Sequence, residues 1–221
     1  MNLEEFTETN APKAGNETFQ LENGKLLDIA IDGSVLTKAG SMISYEGDLE
    51  FTGKSSAEGG ITGFIKQAAT SEGMPVMKAE GTGHLYLADQ GKDIQVLELD
   101  EGETVTVNGN DILAFESKVE YSIGVIDSIS GSSSGGLTNV YLEGPGYIAI
   151  TTHGEPLVLT PPVRTDPSAT VAWSGVSPGT HVNSSLSDMI GQSSDERRQL
   201  DFTGSEGFVV VQPFEERQPQ Q

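Results

Sequence analysis

Three kinds of landmark recur along this chain at nearly one interval, and that recurrence limits the fold more than any other feature. A turn glycine stands at Gly24, Gly91 and Gly154, in steps of 67 and 63 residues. An aromatic residue after small or apolar neighbours follows at Tyr45 (GSMISYEG), Phe115 (NDILAFES) and Trp173 (SATVAWSG), in steps of 70 and 58. A glycine-rich segment then leads into an apolar strand at EGTGHLYLA, EGPGYIAIT and TGSEGFVVVQ; its last glycines, Gly83, Gly146 and Gly207, lie 63 and 61 apart. The landmarks predict one domain over residues 1–214, built of three similar β-units at about 16–83, 84–146 and 147–213 around a pseudo-threefold axis and sharing one core. Residues 215–221, polar and containing Pro219, are expected to trail as a disordered tail.

Within the units, short alternating or β-branched stretches read as strands: 18–22, 26–31, 93–99, 103–107 and 119–126. Asn23-Gly24, Asp32-Gly33 and Asn108-Gly109 are turn dipeptides, because Asn or Asp followed by Gly tolerates positive φ. Two segments depart from this pattern. Ile61, Phe64, Ile65 and Ala68 recur at helical spacing, as do Leu186, Met189 and Ile190 between a capping Ser185 and a terminating Gly191. Each spans about two turns, too short for stability without docking on a sheet. The expected class is therefore an all-β sandwich or prism with one or two short helices.

Charge narrows the possible partners. Thirty-three acidic residues against 12 basic ones give a net charge of -21, which opposes phosphate-backbone binding by a broad basic surface. The acids are scattered (Glu46, Asp48, Glu50; Glu98, Asp100, Glu101, Glu103; Glu215, Glu216), so acidity belongs to the whole surface. Such a surface repels itself at ordinary ionic strength and is relieved in concentrated salt, which fits a salt-rich cytoplasm. The opening MNLEEFTETNAPK carries acids where a secretory signal needs a basic end and an apolar run. Apolar runs such as Phe208–Val211 fall far short of the roughly 18 residues of a membrane span. A cytoplasmic protein without stable membrane insertion is expected.

In order along the chain, AGSMISYEGDLEF (39–51), GTGHLYLAD (81–89), NGNDILAFESKVEY (108–121) and GPGYIAI (144–150) resemble the altered inheritance of mitochondria protein 24 family. The likeness runs from Phe19 to Pro213. It implies a β-sandwich of the kind called tryptophan RNA-binding attenuation protein-like, and the acidity is like that of haloarchaeal members. It carries over no catalytic residues, and fold analogy alone supplies no function.

Candidate chemistry is sparse. With no cysteine, disulfides, thiolate metal sites and cysteine nucleophiles are excluded. His84, His153 and His181 could in principle share a metal on the axis. Their offsets disagree, however: His84 directly follows Gly83, His153 lies seven residues after Gly146, and His181 precedes Gly207 by 26. No Gly-x-Ser-x-Gly elbow is present, and the serines of GSSSGG (131–136) read as a loop. GDLEFTGKS (47–55) misses the phosphate-loop spacing and alternates as a strand does. Glu80 and Glu143 precede the glycine corners and are read as exposed acids rather than an acid/base pair. Arg197-Arg198 is explained by its neighbours Asp195 and Glu196.

Accordingly, no catalytic, cofactor-binding or metal residue is assigned and no cofactor is expected. Tyr45, Phe115 and Trp173 are assigned to core packing. The expected role is a non-enzymatic binding or scaffolding module acting through a protein partner or self-association, without nucleic acid. The alternative is a small-ligand or metal-binding enzyme with a pocket between β-units, using His84, His153 or an acid.

Overall fold

The computed structural model describes residues 1–15, 17–53, 76–126, 137–182 and 198–216. The chain opens with a short helix, α1 (Leu3–Thr9). The first third then forms β1 (Phe19–Asn23), β2 (Leu26–Lys38), β3 (Met42–Thr52) and β4 (Val76–Leu87). The second forms β5 (Asp93–Leu99), β6 (Thr104–Asn108), β7 (Ile112–Glu116), β8 (Glu120–Ile126), β9 (Leu137–Glu143) and β10 (Gly146–Thr152). The last forms β11 (Leu157–Leu159), β12 (Val163–Thr165), β13 (Thr170–Ser174), β14 (Gly179–Val182), β15 (Arg198–Phe202) and β16 (Phe208–Val211). The fold is nearly all-β, and the described strands are antiparallel throughout.

They assemble into three sheets. A seven-stranded sheet runs β3-β4-β2-β7-β10-β5 with β1 added on β2; a six-stranded sheet runs β11-β16-β13-β6-β9-β8; a three-stranded sheet runs β12-β15-β14. The pairings follow one scheme in each third. In the second, β10 lies between β5 and β7, and β9 between β6 and β8. In the last, β16 lies between β11 and β13, and β15 between β12 and β14. In the first, the two halves of each long strand play these parts: Leu85–Leu87 of β4 lies between Leu27–Ile29 of β2 and Met42–Tyr45 of β3, while Ala79 lies between Val35 and Phe51. Neighbouring thirds are joined where β2 pairs with β7 and β6 with β13.

The strands of the first third run on instead of turning, and glycines let β3 and β4 approach closely. Asp32-Gly33 is not the expected turn: Gly33 faces Gly81 across β2 and β4, and Gly83 faces Gly47 across β4 and β3. A Cβ on Gly83 would lie 2.0 Å from the Glu46 carbonyl oxygen, and Gly83 has φ +157, so only glycine lets these backbones approach. The last third repeats the contact, with a Cβ on Gly175 2.9 Å from the Gly207 Cα.

Buried apolar side chains gather into three clusters rather than the expected single core. One holds Phe115, Ile148, Leu142 and Val171; a second holds Leu27, Ile29, Leu85 and Leu113; a third holds Trp173, Leu200, Phe202 and Val209. The period-2 alternation of strands divides them, since Ile148 and Ile150 join the first cluster and Ala149 the second. Sheets packed on both faces need core on both.

Strands 93–99 and 119–126 lie as expected to within a residue, and Asn23-Gly24 and Asn108-Gly109 turn. The two expected helices, around Ile61–Ala68 and Leu186–Ile190, lie outside the described residues. Helix α1 was not foreseen; its cause is a capping box in which Asn2 accepts from the Glu5 amide and the Asn2 amide donates to the Glu5 carboxylate. Among the described residues no helix is long and apolar enough to cross a membrane.

Candidate functional site

The strand ends of the seven-stranded sheet collect most of the buried charge. The turn from β4 to β5 supplies Asp89 and Lys92, the turn from β6 to β7 supplies Asn110 and Asp111, and the end of β10 supplies Thr151 and His153. Lys92 is 4% exposed and Asp111 1%. Charges so far from water persist only with close partners. The Lys92 ammonium donates to Asp111 Oδ1 at 2.6 Å and also meets Glu216 Oε1. Beside it, Lys38 donates to Asp89 Oδ2 and to the Asn110 carbonyl, both at 2.7 Å. Thr151 donates from its hydroxyl towards Asp89 Oδ2 and the Asp111 carbonyl, both at 3.3 Å.

Glu216 arrives from the other end of the chain. The segment after β16 folds back: the Gln212 amide donates to the Ala169 carbonyl and the Glu216 amide to the Ser168 carbonyl, both at 2.9 Å. The His153 amide donates to Gln212 Oε1 at 2.7 Å. The His153 ring packs against Phe214 with centroids 4.1 Å apart, and its Nε2 lies 3.4 Å from Glu216 Oε1. The expected disordered tail is thus corrected at its start: residues 215 and 216 are placed, and Glu216 is half-buried as the counter-ion of Lys92. The physical reason is that a buried ammonium holds an acid that composition alone assigns to solvent.

Electrostatics set the protonation of the group. Burial pushes the Asp111 carboxyl up to about 7; Lys92 opposes this and the neighbouring Glu216 carboxylate adds to it. Glu216 itself is held below the usual carboxylate range: burial would raise it, but its contacts with Lys92 outweigh that. Lys92 is raised, because the two carboxylates outweigh its burial. Lys92 and Glu216 line a cleft of about 1000 Å³ together with Lys38, Asn110, His153 and Phe214. It can seat a carboxylate on an ammonium beside an aromatic shelf.

The residues considered from sequence are not brought together here. His84 sits on β4, its Nδ1 3.0 Å from both oxygens of Asp28, whose carboxyl is raised by burial against the lowering pull of His84. His153 lies in the cleft, and His181 on β14 pairs in backbone register with Gln199 of β15. Among the described residues no group of three potential ligands could hold a metal ion. Glu80 pairs with Lys78 at 2.7 Å, and Glu143 accepts from the Tyr141 hydroxyl at 3.1 Å, on different sheets. The 47–55 stretch is strand as far as Thr52, as its alternation indicates. The 131–136 serines and Arg197 lie outside the described residues. Phe115 and Trp173 are buried as assigned, whereas Tyr45 is 48% exposed, which corrects its assignment to the core. Phe115 packs in the first cluster and Trp173 in the third, against Phe202, while Tyr45 stands on β3, which pairs only with β4 among the described residues.

Sequence reading missed Lys92, Asp111 and Glu216. The available signals were slight: Lys92 directly follows a turn glycine in a chain with only 12 basic residues, and Phe214 is an apolar residue in a segment otherwise read as tail.

Comparison with known proteins follows from this geometry. A search of curated proteins finds no match. A crystal structure of a protein from Streptococcus pyogenes has a similar fold, with a TM-score of 0.68 and 23% identity over 90% of this chain and 93% of that one. Residues 19–214 match the family described as mitochondrial biogenesis AIM24. The quoted landmarks, the strand scheme and this match agree: the chain belongs to the AIM24 family.

Proposed function

We propose that this protein is a non-enzymatic binding and scaffolding module that associates with a second copy through an exposed strand edge. The observation that carries this reading is β3. It is the outer strand of its sheet and exposes Met42, Ile43 and Tyr45, the last by 48%. Its counterparts β7 and β13 carry Phe115 and Trp173 and are each covered by a strand of the neighbouring third. The strand that would cover β3 by the same rule is β12, and β12 pairs only with β15 among the described residues. The recurring pairings support three units in pseudo-threefold, prism-like arrangement within one domain, with two junctions formed and the third left as complementary free edges. An apolar strand edge is a template for another strand. Pairing β3 of one copy with β12 of another would satisfy both.

Sedimentation of the full chain in concentrated salt tests this. Wild-type protein should self-associate as its concentration rises, and Ile43→Lys, which places a charge on the exposed edge, should remain monomeric with an unchanged melting temperature. Wild-type protein that stays monomeric throughout removes the reading.

A further inference from the structure

One wall of the cleft at Lys92 is a short segment of the chain itself, Pro213–Glu216. It is held in place as a bound peptide would be, in three ways. The Ser168 carbonyl receives the Glu216 amide, and the Ala169 carbonyl receives that of Gln212, just before the segment. The His153 ring provides a face for Phe214, which remains 49% exposed and so contributes little to any core. The Lys92 ammonium seats the Glu216 carboxylate.

Charge bookkeeping indicates what could take that place. Without Glu216, Lys92 keeps Asp111 but loses its second carboxylate, while Lys38 keeps Asp89. A segment that displaces residues 213–216 recovers that buried ion contact only if it brings an acid of its own. The aromatic shelf asks for a ring two residues before that acid, the spacing of Phe214 and Glu216.

We infer that the seat beneath this wall, made by Lys92, His153 and the Ser168 carbonyl, is a receptor for an acidic peptide segment of the pattern Phe-x-Glu, and that residues 213–216 are its resident, displaceable occupant. The site uses no residue of β3, so it stands independently of the edge association proposed above.

The probe is a fluorescently labelled synthetic peptide copying residues 211–216, Val-Gln-Pro-Phe-Glu-Glu, added to the full-length chain and followed by anisotropy. A Phe214→Ala/Glu216→Gln variant, with its own occupant weakened, should bind the peptide at least about tenfold more tightly than wild-type protein, which competes internally. Replacing the peptide's last Glu by Gln should weaken binding by at least about tenfold, the value of a charge-assisted hydrogen bond. If the double variant does not melt cooperatively, Phe214→Ala alone, which keeps the carboxylate on Lys92, gives the same comparison. A cooperatively melting variant that binds no peptide, or binds the Glu and Gln peptides equally, overturns the inference. Ile43→Lys should leave this binding unchanged, so failure here and failure of edge association are separate results.

Discussion

Asp111 illustrates how far one residue's chemistry can depart from its sequence context. It stands in an ordinary polar turn, yet its carboxyl is buried and raised from 3.8 to about 7. The unfolded chain ionises this group at lower pH than the folded one, so its contribution to stability is full below pH 3.8 and is lost as pH rises towards about 7. Facing it are Lys92, which stays charged over this range, and Glu216, whose lowered value contributes in the opposite sense only below its ordinary range. His153, Lys38 and Asp89 complete the surroundings. Asp111→Asn should flatten the fall in melting temperature between pH 4 and 7, a slope of up to about 1.4 kcal/mol per pH unit, relative to wild type in concentrated salt. Parallel curves would show that no such proton is held. At the same scale, Trp173→Ala should cost about 3–5 kcal/mol, since the ring is 4% exposed and packs on Phe202. Tyr45→Ala, which loses an exposed edge contact with Phe51, should cost at most about 1.5 kcal/mol by the same denaturation measurement.

Among the elements, β2, β3 and β4 depend on glycines in register. Gly83 meets the Glu46 carbonyl on one side and lies opposite Ile31 on the other. Gly83→Ala should therefore cost at least about 2 kcal/mol, from strain at positive φ and forced separation of β3 from β4. Gly33→Ala carries the φ penalty without the clash, because nothing lies within 4 Å of its Cβ position, and should cost less. Equal losses in the two variants would mean that backbone approach is not the constraint. The elements also show why strand signals were easier to read than strand ends. LLDIAI is legible by alternation, but its continuation through Asp32-Gly33 to Lys38 is decided by unbroken pairing with β4. A turn dipeptide reports local permission to turn, and cross-strand pairing can decline it.

For the molecule as a whole, the net charge of -21 is spread over a surface that repels itself. Raising monovalent salt from about 0.1 M to 1 M shortens the Debye length from about 10 Å to about 3 Å. The melting temperature should rise steeply over that interval. A melting temperature insensitive to salt would show that repulsion between surface acids does not govern stability. The same screening is needed before two copies can approach through β3, so association and stability should rise together with salt. The joined pairs of thirds, β2 with β7 and β6 with β13, give the molecule one continuous architecture although each third has its own pairings. The exposed β3 edge is a property of this scale only.

Alternation and turn residues were enough to specify most strands and an all-β class, because these depend on neighbours one to a few residues away. Phe115 and Trp173 were legible as core for the same reason. Tertiary structure alone decided that Tyr45 would be left outside, since β3 becomes the outer strand of its sheet. It also decided that Glu216 would leave the tail to sit on Lys92 and Asp111. Those three residues lie far apart in the chain and share no periodicity; only the low dielectric of the folded interior makes an ammonium and two carboxylates seek one another.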